Sequence, residues 1–331
     1  MFQPGIEYRK SLALCAPLLA LSFSAEAQQP TKVPRIGFLS GASLSSLAPR
    51  LEAFRQGLRE LGYVEGKNIA IEYRSAEGNL DRLPELAAEL VRLNVDCIFT
   101  AGGNPTRATK QATVTIPIVM GNPGEPIQAG FVASLARPGG NITGLTSIST
   151  DLIGKRLELL KEVVPKISRV AILRDSRNPD TAVTLKETEG AARLLKVQLI
   201  SLEVRGLDEL ENVFRSIAKS RADAFVLGGS GLFNTHRTRI IELAVKHRLP
   251  AIYTEQEYVL AGGLMTYATS IPDLYRRAAT YVDKILKGAK PSDLPVEQPK
   301  KFEFIINLKA AKQIGLTIPP NVLVRADRVI R

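Results

Sequence analysis

A chain of 331 residues is long enough for about two domains of roughly 150 residues each. With 45% apolar and 23% charged residues, the composition is that of a globular protein and excludes disorder over most of the chain. The formal net charge of +11 is compatible with nucleic acid, anionic membranes or acidic ligands as partners. Lys and Arg are interleaved with Glu and Asp, however, which favours a solvated basic surface and no nucleic-acid partner.

The N-terminal segment is typical of a secretory signal peptide. Arg9-Lys10 precedes an apolar run over Leu12–Phe23, and Ala25 and Ala27 supply the small residues of an A-x-A cleavage site. We predict that residues 1–27 are a signal peptide cleaved after Ala27, which makes the protein periplasmic. The apolar run is shorter than the roughly 20 residues of a spanning helix, although a short anchor that stays attached is the alternative.

The two cysteines also bear on the compartment. Cys15 makes lipidation a minor alternative, because the bulky Leu14 occupies the position where a lipoprotein peptidase requires a small residue. After cleavage only Cys97 remains, so the mature chain cannot form an internal disulfide. Cys97 lies within an apolar run and is predicted to be a small core residue.

Short apolar runs alternate with amphipathic segments from Val33 to about Ile148. The predicted strands are Ile36–Ser40, Ile69–Tyr73, Cys97–Ala101 and Ile118–Gly121. Apolar residues at helical spacing predict helices over Leu51–Leu61, Leu80–Arg92 and Thr106–Ala112. Strands that alternate with helices and are rich in Ile, Val and Phe indicate a parallel sheet covered on both faces.

The second half repeats this order by pattern. Its predicted strands are Val170–Leu173, Val197–Leu202, Phe225–Leu227 and Ala251–Tyr253. Its predicted helices are Gly154–Val164, Asp180–Leu195, Leu207–Ser220 and Thr235–His247. A later helix over Pro272–Leu286, a strand over Phe302–Asn307 and a short helix up to Gly315 complete the chain. The dipeptides Asn104-Pro105 and Asn178-Pro179 predict helix starts, with Asn as the cap and Pro at the first helical position.

The repeat predicts an α/β fold with two doubly wound parallel-sheet lobes. Arg137–Gly144 is the clearest linker signal, and Gly262–Tyr267 is a second candidate crossing. The first lobe is predicted to hold residues 33–146 and about 272–288. The second is predicted to hold residues 147–271 and about 296–331. Several crossings of this kind form a hinge about which two lobes can close.

A catalytic, metal or cofactor site is hard to build from this chain. The two histidines, His236 and His247, share a predicted helix with basic neighbours, and no Cys or His cluster has metal-ligand spacing. No Walker A or G-x-G-x-x-G sequence is present. The segment after Gly228 lacks the second glycine of G-x-S-x-G. We therefore predict no catalytic residues, no metal and no cofactor.

Ligands of open parallel sheets bind beyond the carboxyl ends of the strands. This rule predicts ligand-binding residues in both lobes: Ser40, Gly41, Gly102, Gly103, Asn104, Thr106, Asn122, Asp175, Asn178, Gly229, Ser230, Tyr253 and Glu255. The free N–H groups at the helix after Gly102 suit an anion or a carboxylate. Asp175 or Glu255 could bind an ammonium group. The alternative for each polar residue is a cap or a turn, since such positions also use Asn, Ser and Asp.

Three segments resemble a known family. Phe54–Tyr63, Leu135–Gly144 and Lys301–Leu308 are similar to bacterial ABC transporter substrate-binding proteins, in the branch that includes binding proteins for tryptophan and tyrosine. The most specific motif is Arg137-Pro138-Gly139-Gly140-Asn141, and the resemblance spans about Val33 to Ile330. It implies a type I periplasmic binding fold, capture of a small solute and delivery to a membrane permease.

The sequence thus predicts a non-enzymatic solute receptor of an ABC importer. Its expected partners are a small solute, such as an amino acid, and an inner-membrane permease, and its expected state is a monomer. The alternative is an enzyme with two Rossmann-like lobes, such as a sugar-nucleotide transferase, with Asp175 or Glu255 as acid or base. A ligand-sensing regulator would need a DNA-binding helix pair before Val33, where the signal peptide stands.

Overall fold

The computed structural model describes residues 1–2, 33–178 and 180–331. Apart from Met1 and Phe2, the predicted signal peptide lies outside the described residues, as do Cys15 and the cleavage site after Ala27. All described strands and helices belong to one compact unit, residues 33–331. In that part of the chain no helix combines the length and apolar character that a membrane span needs.

Strands and helices alternate through most of the unit. The strands are β1 (Arg35–Ser40), β2 (Ala70–Ser75), β3 (Cys97–Ala101), β4 (Ile118–Met120), β5 (Ile142–Gly144), β6 (Arg169–Asp175), β7 (Gln198–Val204), β8 (Ala224–Leu227), β9 (Ala251–Tyr253), β10 (Met265–Thr269), β11 (Phe302–Asn307) and β12 (Arg328–Ile330). The α-helices are α1 (Ala48–Glu60), α2 (Leu83–Arg92), α3 (Gly103–Ala112), α4 (Ile153–Val163), α5 (Thr181–Leu194), α6 (Leu210–Lys219), α7 (Gly231–Thr235), α8 (Arg237–Lys246), α9 (Gln256–Leu260), α10 (Ile271–Leu286), α11 (Leu308–Gln313) and α12 (Pro320–Leu323).

The strands form two sheets, each the centre of a lobe. The first lobe has a parallel five-stranded sheet with the order β2-β1-β3-β4-β5. The second has seven strands in the order β12-β11-β10-β9-β8-β6-β7. These sheets confirm the predicted two-lobed α/β fold, with helices packed on both faces of each sheet.

One pairing departs from a purely parallel arrangement. β11 runs antiparallel to β10, with Thr269 opposite Phe302. The reason is connectivity. β10 leaves the second lobe at Thr269, where the chain enters α10, and β11 starts beside it when the chain returns. β11 therefore runs in the opposite direction.

Helix α10 follows the second lobe in sequence but packs on the first sheet beside α1. Phe99 of β3 contacts the ring of Phe54 from α1 and the ring of Tyr275 from α10, with centroids 4.6 and 5.0 Å apart. Gly57 allows the two helices to approach, because a Cβ there would collide with the Arg276 carbonyl oxygen. The chain therefore crosses between the lobes more than once.

The crossing segments lie side by side. The Thr146 N–H donates to the Glu297 carbonyl at 3.0 Å, and the Glu297 N–H donates to the Gly144 carbonyl at 2.9 Å. The Thr269 hydroxyl donates to the Ser147 carbonyl at 3.3 Å. Gly144 has a φ of 128°, and its backbone packs on Met120 where a Cβ would clash. These contacts hold together the chain segments that form the hinge.

Candidate functional site

A cleft lies between the two lobes, at the carboxyl ends of their strands. It encloses about 960 Å³, with the open space at its mouth included. Loops that follow β1, β3 and β4 form one wall, and loops that follow β6, β8 and β9 form the other. This is the position that the rule for parallel sheets predicts.

Most of the predicted site residues line this cleft. They are Ser40, Gly41, Gly102, Gly103, Asn104 and Asn122 from the first lobe, and Asn178, Gly229, Ser230 and Glu255 from the second. The structure thus brings both predicted groups of residues to one cavity. Their contact with a ligand stays a prediction.

Three predicted residues lie behind the walls. Thr106 is fully buried, and its hydroxyl donates to the Gly102 carbonyl at 2.8 Å. Asp175 is buried and accepts a hydrogen bond from the Ser230 hydroxyl at 2.7 Å. The ring of Tyr253 stacks on Tyr258 in the core of the second lobe, with centroids 4.9 Å apart. Each of these side chains supports the wall and does not line the cavity.

The two predicted helix starts are wrong in detail. Helix α3 begins at Gly103, and its N-cap is Gly102 with a φ of 98°, so Asn104 stands inside the first turn. Helix α5 begins at Thr181 after Asp180. Asn178 lies before the cap, and its side-chain oxygen accepts from the Asp180 N–H at 3.0 Å. A glycine in the left-handed conformation replaces a side-chain cap at α3, which leaves Asn104 on the cleft wall.

A buried ion-pair network connects the lobes beside the cleft. Arg50 of α1 is 1% exposed and donates to the carboxylates of Glu255 and Glu257 in the second lobe. Its Nε lies 2.7 Å from Glu257 Oε1. Burial alone would lower the pKa of Arg50, but the two carboxylates raise it well above its ordinary value. The side chain of Asn234 completes the network by donating to Glu255 Oε1 at 3.2 Å.

Further contacts between the lobes show that the cleft is closed. The backbones of Gly41 and Gly231 approach so closely that a Cβ on Gly231 would lie 3.0 Å from the Gly41 carbonyl carbon. The Ser43 N–H donates to the Thr235 hydroxyl at 3.2 Å. On the other side, the Gly124 N–H donates to the Asp180 carboxylate at 3.0 Å.

Arg156 lines the cleft although it is 1% exposed. Its Nε donates to the Tyr267 carbonyl at 2.9 Å, and its Nη1 donates to the Ser149 carbonyl at 2.8 Å. Burial lowers the pKa of Arg156 to about 10, although Glu255 opposes the shift. The side chain therefore joins β10 to the loop at Ser149 and places positive charge at the cavity wall.

Acidic residues meet on the opposite side of the cleft. Asp180, from the second lobe, accepts backbone N–H groups of Gly124 and Glu125 from the first. Burial raises the pKa of Asp180, and these two N–H groups oppose the rise. Burial, followed by Asp151 and Asp180, raises the pKa of Glu125 to about 7. Two acidic residues, one from each lobe, therefore lie next to each other on this side of the cleft.

Two buried oxygens of the cleft wall lack partners among the described residues, namely Asn122 Oδ1 and Thr254 Oγ1. Buried polar atoms in native proteins are nearly always hydrogen-bonded. These atoms therefore suit a polar ligand or water. Over the same described part of the chain, no cluster of His, Cys, Asp and Glu could hold a metal ion.

Sequence reasoning missed Arg50, Arg156 and Asp180. A signal was present for Arg156, which falls on the apolar stripe of α4 between Ile153, Leu157 and Leu160. A charged residue at such a position requires a buried partner. No comparable signal identified Asp180, because an aspartate just before a helix is a common N-cap residue and does not by itself indicate a binding site.

Comparison with known proteins agrees with this architecture. The profile of the family described as ABC transporter substrate binding protein matches residues 35–330. A tyrosine-binding protein of Clostridioides difficile is 24% identical over 285 residues, which cover 86% of this chain and 82% of the relative.

Two solved structures are similar along their whole length. A conserved domain protein of Vibrio cholerae is 26% identical with a TM-score of 0.85, covering 90% of this chain and 100% of that one. An ABC domain of Streptococcus pneumoniae in complex with L-Trp is 25% identical with a TM-score of 0.82, covering 90% of this chain and 99% of that one. These matches confirm the resemblance found in the sequence. The chain belongs to the ABC transporter substrate-binding proteins and is the solute-binding component of such a transporter.

Proposed function

We propose that the protein is a periplasmic receptor that closes its two lobes around an amino acid and presents it to an ABC permease of the inner membrane. The observation that carries the proposal is the closed cleft, whose buried oxygens on Asn122 and Thr254 have no partner among the described residues. A ligand that stabilises the closed form must bind it more tightly than the open form. Contacts of the ligand with both walls, which only the closed form offers, supply this difference in affinity.

The charges in the cleft support a zwitterionic solute. Arg156 and the first turn of α3, at Gly103 and Asn104, attract a carboxylate. Asp180 attracts an amine. The names of the similar proteins add support, because one binds tyrosine and another was solved with L-Trp.

Catalysis has less support than binding. The acids that an enzyme would need, Asp175 and Glu255, are already engaged by Ser230 and by Arg50. We therefore propose that the solute leaves the cleft unchanged. We also propose cleavage after Ala27, which would release a monomeric receptor into the periplasm, since residues 33–331 form a compact unit by themselves.

A thermal-shift screen tests this proposal. The purified protein is heated with the twenty L-amino acids, small carboxylates, amines, sugars and nucleosides. A ligand at a hundred times its dissociation constant adds about 2.7 kcal/mol to the free energy of unfolding. We expect an amino acid to raise the melting temperature and to be recovered unchanged. Stabilisation by sugars or nucleosides alone, or consumption of the ligand, would contradict the proposal.

A further inference from the structure

We propose that Asp180 binds the positively charged group of the solute, so that the receptor selects ligands that carry an amine. This inference rests on the proposed function and assigns the amine to a residue other than Asp175 or Glu255, the two acids that the sequence predicted. It is carried by three observations: the burial of Asp180 at the cleft wall, its hydrogen bonds, and the lack of an ion pair to it from any described Lys, Arg or His side chain.

Asp180 is 9% exposed and lines the cleft immediately before α5. Its Oδ2 accepts from the Gly124 N–H at 3.0 Å, and its Oδ1 accepts from the Glu125 N–H at 3.3 Å. An ionised carboxylate has about four acceptor sites. The two N–H groups occupy two of these sites, and the others can accept from a donor on a ligand in the cleft.

The other acids at this cleft have partners. Glu255 and Glu257 share Arg50, and Asp175 lies 3.6 Å from the Arg177 Nε and accepts from Ser230. Over residues 33–178 and 180–331, no ion pair joins Asp180 to a Lys, Arg or His side chain. A buried charge is costly unless it is paired. An ammonium group of the ligand would supply the missing partner.

Two charged groups act near Asp180, the acid Glu125 and the base Arg107. Asp180 helps to raise the pKa of Glu125, whereas Arg107, an exposed residue of α3, makes no ion pair with Asp180 in the described part of the chain and lowers its pKa only through space. An ammonium group in the cleft would favour the charged form of Asp180. A neutral or anionic group at the same position would not.

The same carboxylate also joins the lobes. Gly124 and Glu125 follow β4 of the first lobe, and Asp180 belongs to the second. The oxygens that accept these N–H groups are thus held in place only when the lobes are closed. Binding of the amine and closure of the cleft are therefore coupled through one side chain.

The test compares the wild-type protein with Asp180→Asn, which keeps the shape and an acceptor oxygen but removes the charge. Asp151→Asn is the matched control, because it removes the same charge from an exposed neighbour of Glu125. Calorimetric titration uses the amino acid that stabilises the protein most among the twenty, together with its decarboxylated amine and its deaminated acid. Thermal unfolding without ligand checks that each variant folds.

We expect Asp180→Asn to weaken the binding of the amino acid about 10- to 100-fold, because a charge-assisted hydrogen bond is lost. Asp151→Asn should change the affinity for the amino acid by less than about twofold, since exposed charges act weakly. The deaminated acid should bind the wild-type protein and Asp180→Asn equally weakly. The ligand-free melting temperature of Asp180→Asn should fall only slightly, because the removal of a buried charge offsets the loss of one of the two N–H contacts.

Two results would overturn the inference and leave the proposed function intact. One is an amino acid that binds Asp180→Asn as tightly as wild type. The other is a deaminated acid that binds the wild-type protein as tightly as the amino acid does. If no amino acid or amine in the panel binds, the proposed solute class fails together with this inference.

Discussion

Replacing Arg50 with Met is expected to lower the free energy of unfolding by about 3–5 kcal/mol. Met keeps much of the aliphatic stem, but the change leaves Glu255 and Glu257 buried without their shared cation. Glu257 Oε2 has no hydrogen-bond partner among the described residues even with Arg50 present. Denaturant titration of both proteins, each saturated with the stabilising amino acid so that the lobes stay closed, measures the difference.

The matched control is Arg59→Met in the same helix. Arg59 pairs with Glu52 at 2.7 Å, but both side chains are at least half exposed. Exposed pairs contribute little to stability, so this variant should unfold nearly like the wild type. Adding Glu257→Gln to Arg50→Met should recover part of the loss. Equal stability of Arg50→Met and Arg59→Met would show that the network between the lobes contributes nothing.

Replacing Gly231 with Leu is expected to hold the lobes apart and to weaken ligand binding by about tenfold or more, which is about 1.4 kcal/mol. A Cβ at this position would lie 3.0 Å from the Gly41 carbonyl carbon and 3.2 Å from the Ala42 nitrogen, so backbone of the first lobe would have to move. The apparent affinity for a ligand falls in proportion to the fraction of protein that can adopt the closed form. Titration calorimetry measures the affinity, and X-ray scattering measures the radius of gyration with ligand.

Gly190→Leu serves as the control for the Gly231→Leu substitution. Gly190 lies within α5, and a Cβ there meets no atom within 4 Å. The control should bind ligand and contract on binding like the wild-type protein, whereas Gly231→Leu should keep a larger radius. Contraction of Gly231→Leu to the wild-type radius would mean that the approach at Gly41 is not needed for closure.

The sequence predicted the architecture because the repeated alternation of strands and helices has a local cause. Continuous apolar runs such as those of β1, β3 and β8 indicate strands buried on both faces, and the structure has strands there. The position of the cleft followed from the carboxyl-end rule. The same rule predicted cleft residues such as Ser40, Asn122 and Asn178, because they follow strand ends directly.

The remaining details depend on contacts distant in sequence. Thr106, Asp175 and Tyr253 also stand at strand ends or helix starts, but their side chains turn to Gly102, Ser230 and Tyr258. The role of Arg50 requires Glu255 and Glu257, about 200 residues away. The reversed direction of β11 depends on the return of the chain from α10. No local pattern carries this information.

The most direct test of the account is a crystal structure of the protein grown with the amino acid that stabilises it. We expect electron density for one intact molecule between the lobes, with its amine within about 3.2 Å of an Asp180 oxygen. We also expect the contacts of Arg50 with Glu255 and Glu257 to persist in that crystal structure. A ligand bound outside the cleft, or one whose amine faces solvent, would contradict the account.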